Sequence, residues 1–425
     1  MELNDMQKKV VSTQEPFLFL LAGAGSGKTR VVIERIKYLL DRGVKKTLIL
    51  ALTFTHKASK EMQTRIGNQD LSIHTFHQFC LQELKKDKRY DYNIFIEDEH
   101  HYTKTELLDI QVYKNSYFKT KKPKIYDSYQ RYLNNYHLKD FDDILIDFYK
   151  LINTKNKTYN YDYIFVDEFQ DTNHLQYMIL KSLISKNTKV LCVGDPDQSI
   201  YRFRGAEPKI INQFIKDYQA KVEMLTINYR SNATIIKHAN RIIKRNYRNL
   251  KKELLPFNKQ TNQIFSYIFM LLEDESNTIE NMIKSYILDG IKPREIAVLY
   301  RNNYRSYHLK NHFKINEFSY YDEANLMNQK QHIHMLTIHQ AKGLEFEVVI
   351  ILGLESSIFP SFQTHQKRFL EEERRLMFVA MTRAKEHLIF THVRYNDYFK
   401  RQSPSLFIKE AGIKSKVYKK INVDC

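Results

Sequence analysis

Residues 17–33, FLFLLAGAGSGKTRVVI, decide the fold. An apolar run stops at a glycine-rich turn and passes straight into a helical pattern, the strand–loop–helix context that a phosphate-binding loop requires. Gly23, Gly25 and Gly27 let the backbone turn N–H groups inward onto phosphate oxygens at a helix N-terminus. Lys28 is then placed to reach the β- and γ-phosphates, and Thr29 to hold Mg2+. The strict pattern G-x-x-x-x-G-K-[ST] would put glycine where Ala22 stands. Ala22 only starts the turn, where a small side chain can be accommodated. The competing reading of this stretch alone is a glycine turn with an incidental lysine.

Two later runs bear on that choice. YIFVDEFQDTN (163–173) delivers Asp167 and Glu168 to the end of an apolar strand. The first supplies a carboxylate for a magnesium shell and the second a group that can orient or deprotonate water. Alone, such acids could be caps or solvated edge residues; downstream of a phosphate loop they read as its partners. VLCVGDPDQSIYRFRG (190–205) ends another strand with Asp195 and Gln198 positioned to sense a γ-phosphate or its attacking water. Its continuation, Tyr201, Arg202, Phe203 and Arg204, has the chemistry of a stacking platform for unstacked bases.

The chain of 425 residues can bury more than one core, so two or three domains are expected. Its 67 Lys and Arg against 49 Asp and Glu leave a net charge of +18. That excess favours a polyanionic partner through phosphate neutralisation. The alternative is a solvated basic surface in a sequence with compositional bias. The three cysteines, Cys80, Cys192 and Cys425, are scattered, which provides neither a disulfide framework nor a four-cysteine cluster. The N-terminus is hydrophilic and FLFLLA is too short to span a bilayer, so a soluble, cytoplasmic protein without membrane partners is expected.

Continuous apolar runs at 17–23, 47–55, 163–168 and 190–198, then at 295–301, 334–339 and 347–353, suit strands buried on both faces of parallel sheets. The fold class is α/β, with an early and a late sheet. Helical patterns fall at Thr29–Arg42, His56–Ile66 and Glu371–Lys385. Residues 81–160 lack Gly, hold only Pro123, and mix Lys, Tyr, Asn and Asp at helical spacings. They read as a small helical insertion. The second half supplies Arg230 in TINYRSN and Arg383 in RRLMFVAMTRAKEHL, planar cations suited to a transferring phosphoryl group.

Taken in order, LNDMQKKVV (3–11), AGAGSGKTR (22–30), TFTHKASKEMQTRI (53–66), HTFHQF (74–79), FDDIL (141–145), FVDEFQDTN (165–173), VGDPDQSIYRFRGAE (193–207), NYRS (228–231), AVLYRNN (297–303), TIHQAKGLEFEVVIILGL (337–354) and EEERRLMFVAMTRAK (371–385) resemble the UvrD/Rep/PcrA family of superfamily-one helicases. The resemblance implies two RecA-like P-loop domains with parallel sheets. The first spans 1–80 and 161–222, the small helical insertion 81–160, and the second domain 223–425, with Mg-ATP in the cleft between the domains.

For the nucleotide site it implies binding by Gln7 at the adenine edge, by the loop residues Ala22, Gly23, Ala24, Gly25, Ser26, Gly27, Lys28, Thr29 and Arg30, and by Tyr229 stacking on the base. Asp167 joins Thr29 on Mg2+, Glu168 acts as catalytic base, and Gln198, Arg230 and Arg383 surround the γ-phosphate. Glu345 sits near the ribose and couples to the DNA groove. Phe54, His77, Tyr201, Phe203 and Arg301 line the single-strand path. The implied activity is ATP-dependent 3′–5′ movement on single-stranded DNA or on DNA with a 3′ single-stranded tail.

Two departures from the family pattern stand out. The chain has no tryptophan, and Phe203 takes the place where the family often has one. Between LYRNN and TIHQAKG the family usually inserts a large helical subdomain, whereas Tyr304–Leu336 is too short to form a domain and reads as its remnant. The stretch after Arg383 is likewise too short for a nuclease domain. DNA repair, replication, or anti-phage and mobile-element roles follow from the family. So does a rival reading, an ATP-switched DNA-binding subunit that works with a nuclease or loading factor. An RNA motor is a third option.

Weaker signals complete the reading. His74, His77 and Cys80 have a spacing that could seed a metal site, but the helicase motif explains the same residues. HIHM at 332–335 reads as alternation at the start of a strand. Interleaved Lys and Tyr in 81–160 suit phosphate contacts plus stacking, or simply reflect composition.

Overall fold

A computed structural model describes residues 2–67, 70–87, 90, 93–95, 101–155, 158–322, 331–361 and 367–418. The chain divides into two compact units, residues 1–22 with 27–225, and residues 226–425 with the loop 23–26. Among the described residues each unit holds one large sheet, and every pairing in both is parallel.

In the first unit the strands are β1 (Phe17–Ala22), β2 (Ile49–Thr53), β3 (Ser72–Thr75), β4 (Tyr163–Val166), β5 (Lys189–Gly194) and β6 (Lys221–Leu225), in spatial order β3-β2-β4-β5-β1-β6. The central runs are apolar throughout because helices cover both faces. Leu18, Leu20 and Ala22 of β1 pack with Val31, Val32 and Ile36 of α2 (Lys28–Asp41), while Phe165 and Val193 extend the same core. The register sets Leu21 beside Gly194 and Val166 beside Leu52 and Cys192, so β1, β2, β4 and β5 end at one sheet edge. The phosphate loop, Phe54, the Asp167–Glu168 pair and Asp195 all leave the sheet there. Ligands of open α/β sheets bind outside this carboxyl edge.

Residues 81–160 include the helices Lys104–Asn115, Tyr126–Asn135 and Phe141–Lys155. The first two close over a small aromatic core of Phe95, Tyr102, Ile110, Tyr129 and Leu133. Lys114 is wholly buried and lies 2.7 Å from both Asp140 and Asp143, which ties the Lys104–Asn115 helix to the start of the Phe141–Lys155 helix.

In the second unit the strands are β7 (Phe265–Phe269), β8 (Ile296–Tyr300), β9 (Tyr320–Tyr321), β10 (Ile333–Thr337), β11 (Phe346–Leu352), β12 (Ala384–Val393) and β13 (Lys416–Val417), in spatial order β9-β10-β8-β11-β12-β7-β13. The segment Tyr304–Leu336 proves integral to this unit. Its helix, Asn303–Ile315, sends Leu309 and Phe313 into the core, and Tyr320–Tyr321 pairs on β10; residues 323–330 lie outside the described residues.

Two local expectations need correction. The helix expected over Glu371–Lys385 runs over Lys367–Met381 instead. The Thr382 hydroxyl bonds back to Phe378 O, the chain turns at Arg383, and the next residues enter the central strand β12. At 332–335 a strand does begin, but Ile333, His334, Met335 and Leu336 are all buried, so neighbours on both faces replace the expected alternation. No helix among the described residues is long and apolar enough to cross a membrane.

Candidate functional site

The first unit builds its site around the N-terminus of α2. Gly27 caps this helix at φ 83°, in the left-handed region, with no side chain bonding the first-turn N–H groups. The neighbouring helices at His56–Ile66 and Phe76–Leu84 are capped by Thr55 and Thr75. An uncapped helix start carries free donors and partial positive charge, which suits a phosphate. Glycine is needed at 27 for a second reason: a Cβ there would stand 3.0 Å from Gln7 Nε2. Gln7 is buried, and its side-chain carbonyl accepts the Asn4 N–H at 3.0 Å in a capping box. Within the loop, Ser26 N and Oγ both donate to Gly23 O, which holds the turn closed. Arg30 lies in the first turn of α2.

Lys28 Nζ is buried without an aligned hydrogen bond, 3.2 Å from Glu168 Oε1. A buried ammonium with one poorly directed carboxylate is incompletely satisfied, and phosphate oxygens fit its remaining donors. Thr29 Oγ1 donates to Asp167 Oδ2 at 3.1 Å. Burial, and then the adjacent Glu168 carboxylate, push Asp167 up to about 6 against the pull of Lys28 and of two hydrogen bonds. A hydroxyl and a buried carboxylate in contact, beside a phosphate loop, are the donor set that Mg2+ uses together with phosphate oxygens. Among the described residues no grouping of three or more His, Cys, Asp or Glu could hold a metal by itself. Thr29 and Asp167 therefore fit a nucleotide-bound Mg2+ better than a free-standing metal centre.

Glu168 adopts φ 52°, a left-handed conformation that costs a residue with a Cβ on the order of 1 kcal/mol. Its carboxylate is held from two sides, by Lys28 and by Gln170 Nε2. Gln170, fully buried, also accepts the Asp195 N–H at 2.8 Å through Oε1 and the Ser199 hydroxyl at 3.2 Å through its backbone carbonyl. Gln198 is fixed in turn, its Nε2 donating to Asp195 Oδ2 at 2.6 Å. Gln170 thus links the segment after β4 to the segment after β5. It lies inside the DEFQDTN stretch, where neither its residue type nor its spacing signals this role.

On the same sheet edge Phe54 stacks on Tyr201 with centroids 5.1 Å apart at 21°, and Phe203 lies 6.2 Å from Tyr201 with 42% of its surface exposed. The Arg204 guanidinium sits 5.8 Å from the Tyr201 ring centroid and 5.5 Å from that of Phe203. This is a part-exposed aromatic surface with a cation against it. His77 is set differently: its ring meets the exposed Phe141 edge-on at 6.0 Å, Nε2 is enclosed without a partner, and burial lowers it to about 4. Cys80 is buried, and burial pushes its thiol well above the usual range.

In the second unit Arg230, Glu345 and Arg383 come together around Thr382. Arg230 donates to Glu345 Oε2 at 2.7 Å and to Thr382 O at 3.1 Å. Arg383, almost fully buried, donates to Val379 O and Leu344 O at 3.1 Å each. Burial raises the Glu345 carboxyl, but Arg230, Lys385 and Arg383 outweigh it and hold it below its usual range. Glu345 and Arg230, expected in separate roles, are paired here. Tyr229 packs on Phe257 at 4.9 Å. Arg301 is taken up by Glu373, with both carboxylate oxygens at 3.0 Å from Nε and one at 2.7 Å from Nη2, and Glu373 also accepts Ser361 N–H. This pairing engages Nε and Nη2.

A glycine loop at a strand end, an uncapped helix start, and a part-buried Thr–Asp pair beside a base-like Glu define a P-loop nucleoside triphosphatase. Comparison with known proteins narrows the class. Residues 3–106 and 89–219 match the UvrD/REP helicase N-terminal domain, and residues 223–323 and 320–395 the UvrD-like helicase C-terminal domain. A probable DNA helicase of Mycoplasma pneumoniae is 31% identical over 465 aligned positions, covering 96% of this chain and 86% of that protein. The ATP-dependent DNA helicases PcrA of Staphylococcus epidermidis and Staphylococcus aureus are 35% and 34% identical, covering 75% of this chain and 50% of their own lengths. The chain thus spans about half the length of its PcrA relatives. The chain belongs to the UvrD-like family of DNA helicases.

Proposed function

We propose that this chain is an ATP-dependent motor that moves 3′ to 5′ along single-stranded DNA. The observation that carries the reading is the part-buried set in the first unit, Lys28 against Glu168 and Thr29 against Asp167, at the sheet edge that also presents Phe54, Tyr201 and Phe203. Lys28 and the loop N–H groups hold phosphate oxygens. Thr29 and Asp167 hold Mg2+, which when bound neutralises charge on the β- and γ-phosphates. Glu168, oriented by Gln170, takes the proton of the attacking water, and Gln198 reports the state of the γ-phosphate. Arg230 and Arg383 supply positive charge to the transferring phosphoryl group. Stacked bases lie on Phe203 and its neighbours, so a change at Gln198 reaches the strand through the same short loop.

Steady-state ATP hydrolysis with and without a single-stranded oligonucleotide tests this reading. DNA stimulates turnover in the wild type, and Lys28→Ala abolishes turnover while oligonucleotide binding persists. Turnover retained by Lys28→Ala overturns the phosphate-loop assignment. A wild type that binds ATP and DNA without turnover leaves the ATP-switched subunit as the correct description.

A further inference from the structure

The aromatic loop 201–205 is gripped by a residue of the helical insertion. Asn115 ends the helix Lys104–Asn115 and is almost fully buried. Its side-chain oxygen accepts Asn173 Nδ2 at 2.8 Å, and its Nδ2 donates to Arg204 O at 3.4 Å. Asp142 also accepts from it. Gly205, at φ 87°, packs its α-carbon on this side chain; a Cβ there would stand 3.2 Å from Asn115 Cβ. Asn173, at the end of the DEFQDTN segment, forms a bridge with Ala206, and Glu207 N–H donates to Thr172 O at 3.2 Å.

We infer that Asn115 is a positioning residue that holds the base-stacking loop against the segment carrying Asp167 and Glu168. Gln170 ties those two segments where the loop begins, through Asp195, and Asn115 ties them where it ends, through Arg204. The Arg204 side chain lies against both Tyr201 and Phe203, and Asn115 Nδ2 donates to the backbone carbonyl of that same residue. Cut at this end, the loop keeps its aromatic residues and loses their fixed orientation. The inference rests on the proposed DNA-stimulated hydrolysis for its functional consequence, but its structural content is measurable without it.

The test compares wild type, Asn115→Ala and, in case the first variant folds poorly, Gly205→Ala. Hydrolysis is measured across a titration of an oligothymidylate, and hydrogen exchange across peptides covering 199–207. The expected result is an oligothymidylate concentration for half-maximal stimulation raised about tenfold, the factor equivalent to about 1.4 kcal/mol. Exchange accelerates at 201–206 but not in β1 or β5. Wild-type half-saturation and wild-type exchange in both variants overturn the inference. If the wild type shows no DNA stimulation, the functional reading fails separately, and the exchange result alone decides whether Asn115 holds the loop.

Discussion

Replacing Gln170 by methionine removes three polar contacts, to Asp195, Glu168 and Asp171, while nearly keeping volume. The Asp195 N–H, which Gln170 Oε1 accepts at 2.8 Å, is left unpaired where Asp195 is fully buried. A buried donor without a partner costs about 1–3 kcal/mol, so exchange of the Asp195 amide should accelerate about 5- to 150-fold. Glu168 loses the Nε2 donor that holds it opposite Lys28. A hydrogen bond to a charged group is worth about 1.5–3 kcal/mol, and the catalytic carboxylate then samples unproductive orientations, so kcat should fall about tenfold or more. The assay pairs exchange mass spectrometry on a peptide covering 193–198 with steady-state hydrolysis at saturating ATP and DNA. Circular dichroism controls for global unfolding. A folded Gln170→Met protein with wild-type exchange at Asp195 and wild-type kcat refutes the claim that Gln170 joins the two segments.

Burial lowers His77 to about 4, so the folded protein refuses a proton that the unfolded imidazole accepts below about 6.5. The depressed value means that its contribution is present above about 6.5 and is lost as pH falls towards 4. Between pH 7 and pH 4.5 this amounts to about 2 kcal/mol. In urea unfolding, His77→Gln should therefore lose about 2 kcal/mol less stability over that interval than the wild type, and equal losses contradict the assignment. Arg383→Ala should lower kcat on the order of 1000-fold while changing ATP affinity far less, because the guanidinium acts on charge that develops in the transition state. Equal losses in both would place Arg383 in ground-state binding instead.

The parts of the fold legible in the sequence are those where local chemistry and tertiary environment agree. FLFLLA, TLILALT, YIFV, IAVLY and VVIIL are apolar throughout because each strand is buried on both faces. Strands that break this rule went unread. Lys221–Leu225 lies at a sheet edge with exposed charge, Phe265–Phe269 mixes Ser and Tyr into its run, and Ala384–Val393 follows a helix whose periodicity carries through TRAK. The phosphate loop and the Asp167–Glu168 pair were legible because each is contiguous in sequence. The bonds that orient them were not. Gln170 with Asp195, Asn115 with Arg204, Arg230 with Glu345 and Arg301 with Glu373 join residues that only the chain topology brings together. No periodicity or spacing signals such a pair.

The central claim, that the chain is an ATP-driven motor on single-stranded DNA, is tested most directly by strand separation on duplexes carrying either a 3′ or a 5′ single-stranded tail, with a trap for released strands. ATP-dependent release from the 3′-tailed duplex alone is the predicted result. Release from the 5′-tailed duplex alone, or no release from either together with no DNA-stimulated ATP hydrolysis, contradicts it.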